Sequence, residues 1–289
     1  MRGRVLIIAG SDSGGGAGIQ ADIKTISMLD AYAATAITAL TAQNTEGVFG
    51  VLPIPPEFIR QQIAVVLDDI GADVIKTGML HDAAVIEAIV GVLREHGPAI
   101  PLVVDPVMVA KGGSRLIEPD AVEALKRLLI AGAEVVTPNL PEAEILCGTT
   151  IGNLAEMQAA GETLLTFGCR AALIKGGHLS GETVSDVLVT DSGGVRVWES
   201  PRIATRHTHG TGCSLASAIA ASVAQGLAVE SAVDRARAYV HRAIAEAPGL
   251  GRGHGPLDHA HPLHTNGTTQ QKQRKSRRHP QRHSVRCSG

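Results

Sequence analysis

Short apolar runs alternate with longer segments of helical period along this chain, and that rhythm constrains its fold more than any other feature. "RVLIIA" precedes an amphipathic stretch over 19–29, "TAITALTA" precedes "PPEFIRQQIAVVLDD", and "DVIKTG" precedes 82–95. "PLVVD" leads to 119–129, and "EVVTPN" to 141–147 and 154–167, before "AALIKGG". A strand that is apolar at every position must be covered on both faces, so strands separated by helices predict a parallel sheet between two helical layers. The rhythm then breaks. "TVSDVLVT" and "GVRVWES" flank the turn "DSGG" and predict an antiparallel hairpin at one sheet edge, followed by helices over 211–225 and 229–246.

At 289 residues and 44% hydrophobic, the chain can bury a large core, and with 2% aromatic residues that core must rest on Ala, Val, Ile and Leu. The same scarcity of rings argues against base-stacking platforms, and a net charge of −2 argues against coating nucleic acid or an anionic membrane. Small-molecule chemistry is the expectation. No segment reaches the roughly 18 consecutive apolar residues of a membrane span, and "MRGRVLIIAGS" reads as a first strand, not a signal peptide. Cys147, Cys169, Cys213 and Cys287 form no CxxC pair, which points to a reducing, cytoplasmic setting. From Thr265 the sequence turns basic and polar with no acidic residue. We expect one domain over 1–264 and a disordered tail over 265–289.

Open α/β sheets bind ligands at the carboxyl ends of their strands, so the residues there carry the functional reading. "GSDSGGGAGIQAD" lies at the first strand-to-helix turn, where missing side chains allow close approach to backbone N–H groups. It is neither a P-loop nor a GxGxxG site, and a tight connection explains it as well as a ligand. Asp12 and Asp22 add polar groups there, although Asp12 also suits a local turn. Asp105 ends "LVVD", where a carboxylate can hold a cation or cap a loop. Asn139 and Glu142 stand three residues apart in "TPNLPEA", a spacing that fits joint contact with hydrated Mg²⁺ and equally a capping box. Lys175 ends "ALIK" and can neutralise phosphate oxygens or simply snorkel to solvent. "THGTGCSLASAIAAS" is the most informative stretch. Gly210, Thr211, Gly212 and Cys213 open a helix of small residues, so their N–H groups predict an anion hole. In that field Cys213 is expected to have a lowered pKa and to serve as a base; taken alone, it could be a small buried hydrophobe. The 12 histidines form no HExxH and are read as structural.

Together these stretches resemble the hydroxymethylpyrimidine and phosphomethylpyrimidine kinases of thiamine biosynthesis, within the ribokinase-like superfamily. The resemblance runs from Arg4 to about His261 through "IAGSDSGGGAGIQADIKT", "TALTAQNTEGV", "IKTGML", "DPVMVAKGG", "TPNLPEA", "IKGGH" and "HTHGTGCSLASAIAA", in the family's order. It implies a three-layer α/β/α ribokinase-like fold and a homodimer. The implied reaction moves the ATP γ-phosphate, with Mg²⁺, to 4-amino-5-hydroxymethyl-2-methylpyrimidine and then to its monophosphate. By resemblance Gln43 would hydrogen-bond the aminopyrimidine, with Gly10, Ala17, Met79 and Val107 along the ring and Asp22 near its hydroxymethyl group. Asp105, Asn139 and Glu142 would serve metal and phosphate, with Asp105 and Glu142 on the metal. Lys175 would face the nucleotide, and Cys213 would act beside the GTGC anion hole. Gly113 stands where the family often has Ser followed by Gly-Asp. A pyridoxal or pyridoxine kinase is the nearest alternative, and a non-catalytic ligand-binding regulator a more distant one.

Overall fold

The computed structural model describes residues 1–97, 99–108 and 119–264; Gly113 and the tail over 265–289 lie outside the described residues. Its first strand, β1 (Arg4–Asp12), shows why the apolar runs are continuous. Leu6 and Ile8 pack into a core on one face of the sheet, while Val5, Ile7 and Ala9 pack into a second core on the other. Each fully buried Ile or Leu stabilises the fold by roughly 1.5–3 kcal/mol.

In chain order the elements are α1 (Gly18–Met28), β2 (Tyr32–Gln43), β3 (Val48–Pro53), α2 (Pro56–Asp69), β4 (Val74–Thr77), α3 (Ala83–His96) and β5 (Leu102–Val104). There follow α4 (Pro119–Ala124), β6 (Val135–Val136), α5 (Leu140–Cys147), α6 (Leu154–Leu165), β7 (Ala171–Lys175), β8 (Thr183–Thr190), β9 (Val195–Pro201), α7 (Thr211–Ala224) and α8 (Val229–Ala245). α4 runs on through Leu125–Ile130 in a widened turn, closed where Ala131 N–H donates to Lys126 O five residues back. Asp and Asn side chains start three of the helices: Asp82 accepts from Val85 N–H, Asn139 from Glu142 N–H and Asn153 from Glu156 N–H.

The strands form one sheet in the order β3-β2-β1-β4-β5-β6-β7-β8-β9. Pairing is parallel from β2 to β7 and antiparallel at both edges. The expected hairpin is β8-β9. The second antiparallel edge, β2-β3, was not expected: five of the six residues of β3 are exposed, so it has no core-facing alternation to betray it. Helices α1, α7 and α8 cover one face and α2 to α6 the other, the three-layer α/β/α arrangement. Among the described residues no helix is long and apolar enough to cross a membrane.

Candidate active site

The parallel strands deliver their last residues to one rim. Asp12 ends β1, Lys76 and Thr77 end β4, Asp105 follows β5, Asn139 follows β6 and Lys175 ends β7. The N-terminus of α7 faces them across a cleft of about 550 Å³. Gly10, Ala17, Gln43, Met79 and Val107 line it together with Asp105, Asn139, Glu142, Lys175 and the Gly210–Cys213 turn.

The first glycine-rich loop is held from within. Asp12 Oδ1 accepts Gly14 N–H at 2.8 Å, and its Oδ2 accepts Gly16 N–H at 3.0 Å and Ala17 N–H at 2.8 Å. Burial pushes the Asp12 carboxyl up, but His209 and these N–H groups outweigh it, and the net pKa is lowered. Two of the small residues serve loop-to-loop packing. A Cβ on Gly210, which has φ +79°, would lie 1.8 Å from Gly16 O, and one on Gly16 would lie 2.5 Å from His209 Cδ2. Gly10 makes room for Met79: a Cβ there would lie 2.4 Å from the Met79 methyl. The glycines thus fit two loops together as well as opening the cleft.

Beside Gly212, Lys175 Nζ donates to Asp105 Oδ1 at 3.0 Å. Burial works against the Lys175 charge, but Asp105 and Glu142 prevail and its pKa is raised. Asn139 and Glu142 do form a capping box, with Asn139 N–H donating to Glu142 Oε2 at 2.8 Å and Glu142 N–H to Asn139 Oδ1 at 3.0 Å. Glu142 nevertheless faces the cleft. Burial, with Asp105 adding repulsion, lifts its pKa to about 7 against the pull of Lys175. A pocket that raises one carboxyl beside another is short of positive charge, and hard oxygen donors of this kind fit Mg²⁺.

Two expectations need correction. Asp22 does not line the cleft: it is fully buried behind Lys76, which does, and accepts from Lys76 Nζ at 2.9 Å and from Ser217 Oγ at 2.7 Å. The Cys213 pKa is not lowered. Burial pushes the thiol up to about 12, and Asp22 and Asp105 add to the rise, against Lys76 and an N–H from Gly18. Removal from water outweighs both of these lowering contacts. Thr211 N–H turns back to Thr208 O at 3.4 Å, which leaves Gly212 and Cys213 to offer N–H groups without partners inside α7.

Lys76 and His209 line the same cleft and were not singled out from the sequence. A lysine inside the apolar strand "VIKT" was the available signal for the first, and adjacency to "GTGC" for the second. His209 Nε2 lies 3.0 Å from Asp12 Oδ2 and 3.2 Å from Gln43 Nε2, tying the first loop to the wall that carries Gln43.

The fold matches that of Bacillus subtilis pyridoxal kinase in its ADP complex, with a TM-score of 0.83 and 37% identity over 90% of this chain and 98% of that one. It also matches phosphomethylpyrimidine kinase from Clostridium difficile, with a TM-score of 0.74 and 42% identity over 83% and 99%. Fold and site together define a small-molecule kinase of the ribokinase-like class. Within it, residues 12–258 match the family model described as phosphomethylpyrimidine kinase, and the chain belongs to that family. It is 46% identical over 257 residues to the hydroxymethylpyrimidine/phosphomethylpyrimidine kinase of Bacillus subtilis, covering 89% of this chain and 94% of that one. It is 50% identical over 258 residues to the thiamine biosynthesis bifunctional protein ThiED of Geobacter sulfurreducens, but spans only 52% of that longer protein.

Proposed function

We propose that this protein transfers the γ-phosphate of ATP to 4-amino-5-hydroxymethyl-2-methylpyrimidine and then to its monophosphate, supplying the pyrimidine half of thiamine. The observation that carries this reading is that one cleft is lined both by Gln43, an amide able to accept from an amino group and donate to a ring nitrogen, and by Lys175 and the α7 N-terminus. The relatives named for this activity in Bacillus subtilis, Streptomyces coelicolor and Rhizobium meliloti, at 46–47% identity over nearly their whole length, support it.

In this reading Gly10, Ala17, Met79 and Val107 sandwich the ring, and Lys175 meets the transferring phosphoryl oxygens. The N–H groups of Gly210 to Cys213 receive the developing charge, Gly212 and Cys213 above all. Asp105, Asn139 and Glu142 would hold Mg²⁺ and its water, with Asp105 and Glu142 nearest the ion. The ion, when bound, neutralises phosphate charge. The substrate oxygen bonds to the γ-phosphorus as the bond to the ADP oxygen breaks, and the hydroxyl proton leaves late because phosphoryl transfer is loose. Cys213 takes that proton only after losing its own, through the small thiolate fraction that burial opposes and Lys76 favours, and then returns it to solvent. Asp22 acts from behind, by holding Lys76.

The kinase unit we propose is 1–264, so truncation after His264 should leave activity intact. We further propose a homodimer, supported by the apolar edge where Phe49 is 72% and Leu52 62% exposed, and read by gel filtration. A reaction that uses the Cys213 thiol needs a reducing compartment, which supports a cytoplasmic location. A pyridoxal kinase is the second reading, favoured by the pyridoxal kinase structures that share the fold. ATP- and Mg²⁺-dependent assays on the pyrimidine alcohol, its monophosphate and pyridoxal, read by mass spectrometry, decide it. Mono- and pyrophosphate of the pyrimidine are expected. Product from pyridoxal alone moves the protein to the second reading, and no product from any of them leaves a ligand-binding regulator.

A further inference from the structure

Asp12, His209, Gln43 and Thr41 meet along one wall of the cleft, and their donors and acceptors are interlocked. Asp12 already accepts three backbone N–H groups, two of them on Oδ2. His209 Nε2 lies 3.0 Å from that same Oδ2, so this ring nitrogen carries a hydrogen. A protonated ring nitrogen has no lone pair to offer an amide N–H. Yet the Gln43 amide nitrogen stands 3.2 Å from it, donor against donor.

The other side of the amide is mismatched as well. Thr41 Oγ1 lies 2.8 Å from Ser11 O, a carbonyl that can only accept, so the single hydroxyl hydrogen is committed there. Toward Gln43, Thr41 Oγ1 can therefore only accept, but Gln43 Oε1 faces it at 3.2 Å. Turning the amide over by 180° removes both mismatches: the one His209 Nε2 hydrogen is then shared between Asp12 Oδ2 and Gln43 Oε1, and Gln43 Nε2–H donates to Thr41 Oγ1. Amide oxygen and nitrogen occupy nearly the same space, so the turn needs no other movement.

We infer that His209 is a specificity-determining positioning residue, which fixes the Gln43 amide with Oε1 toward His209 and Nε2 toward Thr41. It thereby sets the order in which the cleft offers an acceptor and a donor to a flat ring. This rests on the reading of Gln43 as the ring-binding amide. An aminopyrimidine edge presents an amino donor beside a ring-nitrogen acceptor, and matching the opposite order requires the ring to turn over. That turn carries a hydroxymethyl group next to the amino group to the other side of the ring. The amide order therefore decides which side of the ring delivers the reacting hydroxyl.

Two measurements test this. In the full-length protein, nuclear Overhauser contacts from the Gln43 amide protons, assigned with a Gln43→Leu variant, read the orientation without any substrate. Stronger contact to the Thr41 methyl than to the His209 ring is expected, and the reverse overturns the inference. Kinetically, His209→Leu should raise KM for the aminopyrimidine alcohol about tenfold, the loss of roughly one hydrogen bond's discrimination, with kcat changed less than about threefold. His209→Gln keeps an N–H donor and should restore most of that loss. An unchanged KM in His209→Leu overturns the inference while leaving the proposed activity standing. A wild-type protein inactive on the pyrimidine overturns the proposed activity, and the amide contacts still decide the orientation.

Discussion

Lys76 and Asp22 form an ion pair 2.9 Å long in which both side chains are 0% exposed, immediately behind the Cys213 thiol. Lys76 stays protonated there although burial opposes it, because the Asp22 and Asp105 carboxylates favour its charge. Removing one partner leaves a buried charge uncompensated, which costs about 3–5 kcal/mol. Lys76→Met should therefore lower thermal stability by that order, and the double variant with Asp22→Asn should recover part of the loss. Denaturant melts of the three proteins test it. Equal melting of Lys76→Met and wild type would show that the pair does not hold the sheet to α1.

A buried thiol held near pKa 12 is almost entirely protonated at pH 8, against about a quarter ionised for an ordinary cysteine. Alkylation of Cys213 by iodoacetamide, followed by peptide mass mapping, should be slower by about three orders of magnitude than for free cysteine. Rapid labelling at neutral pH would mean that the helix field wins after all. Cys213→Ala should lower kcat by roughly 10²–10⁴ with little change in KM if the thiolate takes the proton.

The parallel sheet was legible because burial on both faces leaves an unmistakable mark: Val5 to Ala9 are all apolar and all buried. β3 was not, since an exposed edge strand needs no alternation. At the site, Lys175, Asp105 and Glu142 were legible from their places at strand ends. Lys76 was hidden because a lysine inside "VIKT" has its partner 54 residues away, and sequence spacing carries no trace of such a pair. The Cys213 pKa was misjudged for a related reason. The helix N-terminus can be read from "GTGC", but the carboxylates and the burial that oppose it come from other segments.

Gly210 and Gly212 are two residues apart, yet substitution by Ala should act in different ways. At Gly210 the backbone is left-handed and the new methyl would collide with Gly16 O, so Gly210→Ala should cost more than the roughly 1–3 kcal/mol of strained backbone alone. At Gly212 the nearest atom is Lys175 Nζ, 3.1 Å away at the end of a flexible side chain. Gly212→Ala should fold normally and lose turnover through a displaced lysine. Melting temperature and kcat, measured together, separate the two, and equal melting losses would contradict the assignment.

His259 provides the pH dependence of stability. Its Nε2 lies 3.0 Å from Ser214 Oγ in α7, Tyr239 OH donates to its carbonyl, and burial lowers its pKa to about 4 from 6.5. A lowered folded-state pKa means that the unfolded chain binds the proton first as pH falls. Stability from this group is complete above about pH 6.5 and is lost progressively toward pH 4, by on the order of 3 kcal/mol. His259→Gln preserves a hydrogen-bonding group near Ser214 and does not titrate. Urea melts at pH 7 and pH 4.5 should show a smaller acid loss in His259→Gln than in wild type. His261, whose pKa burial also lowers and whose charge adds to the lowering at His259, is present in both proteins, so the difference reads His259 together with its coupling to His261. Parallel pH curves would mean that His259 titrates alike in the folded and unfolded chains, and that the acid sensitivity of the α7–α8 layer has another source.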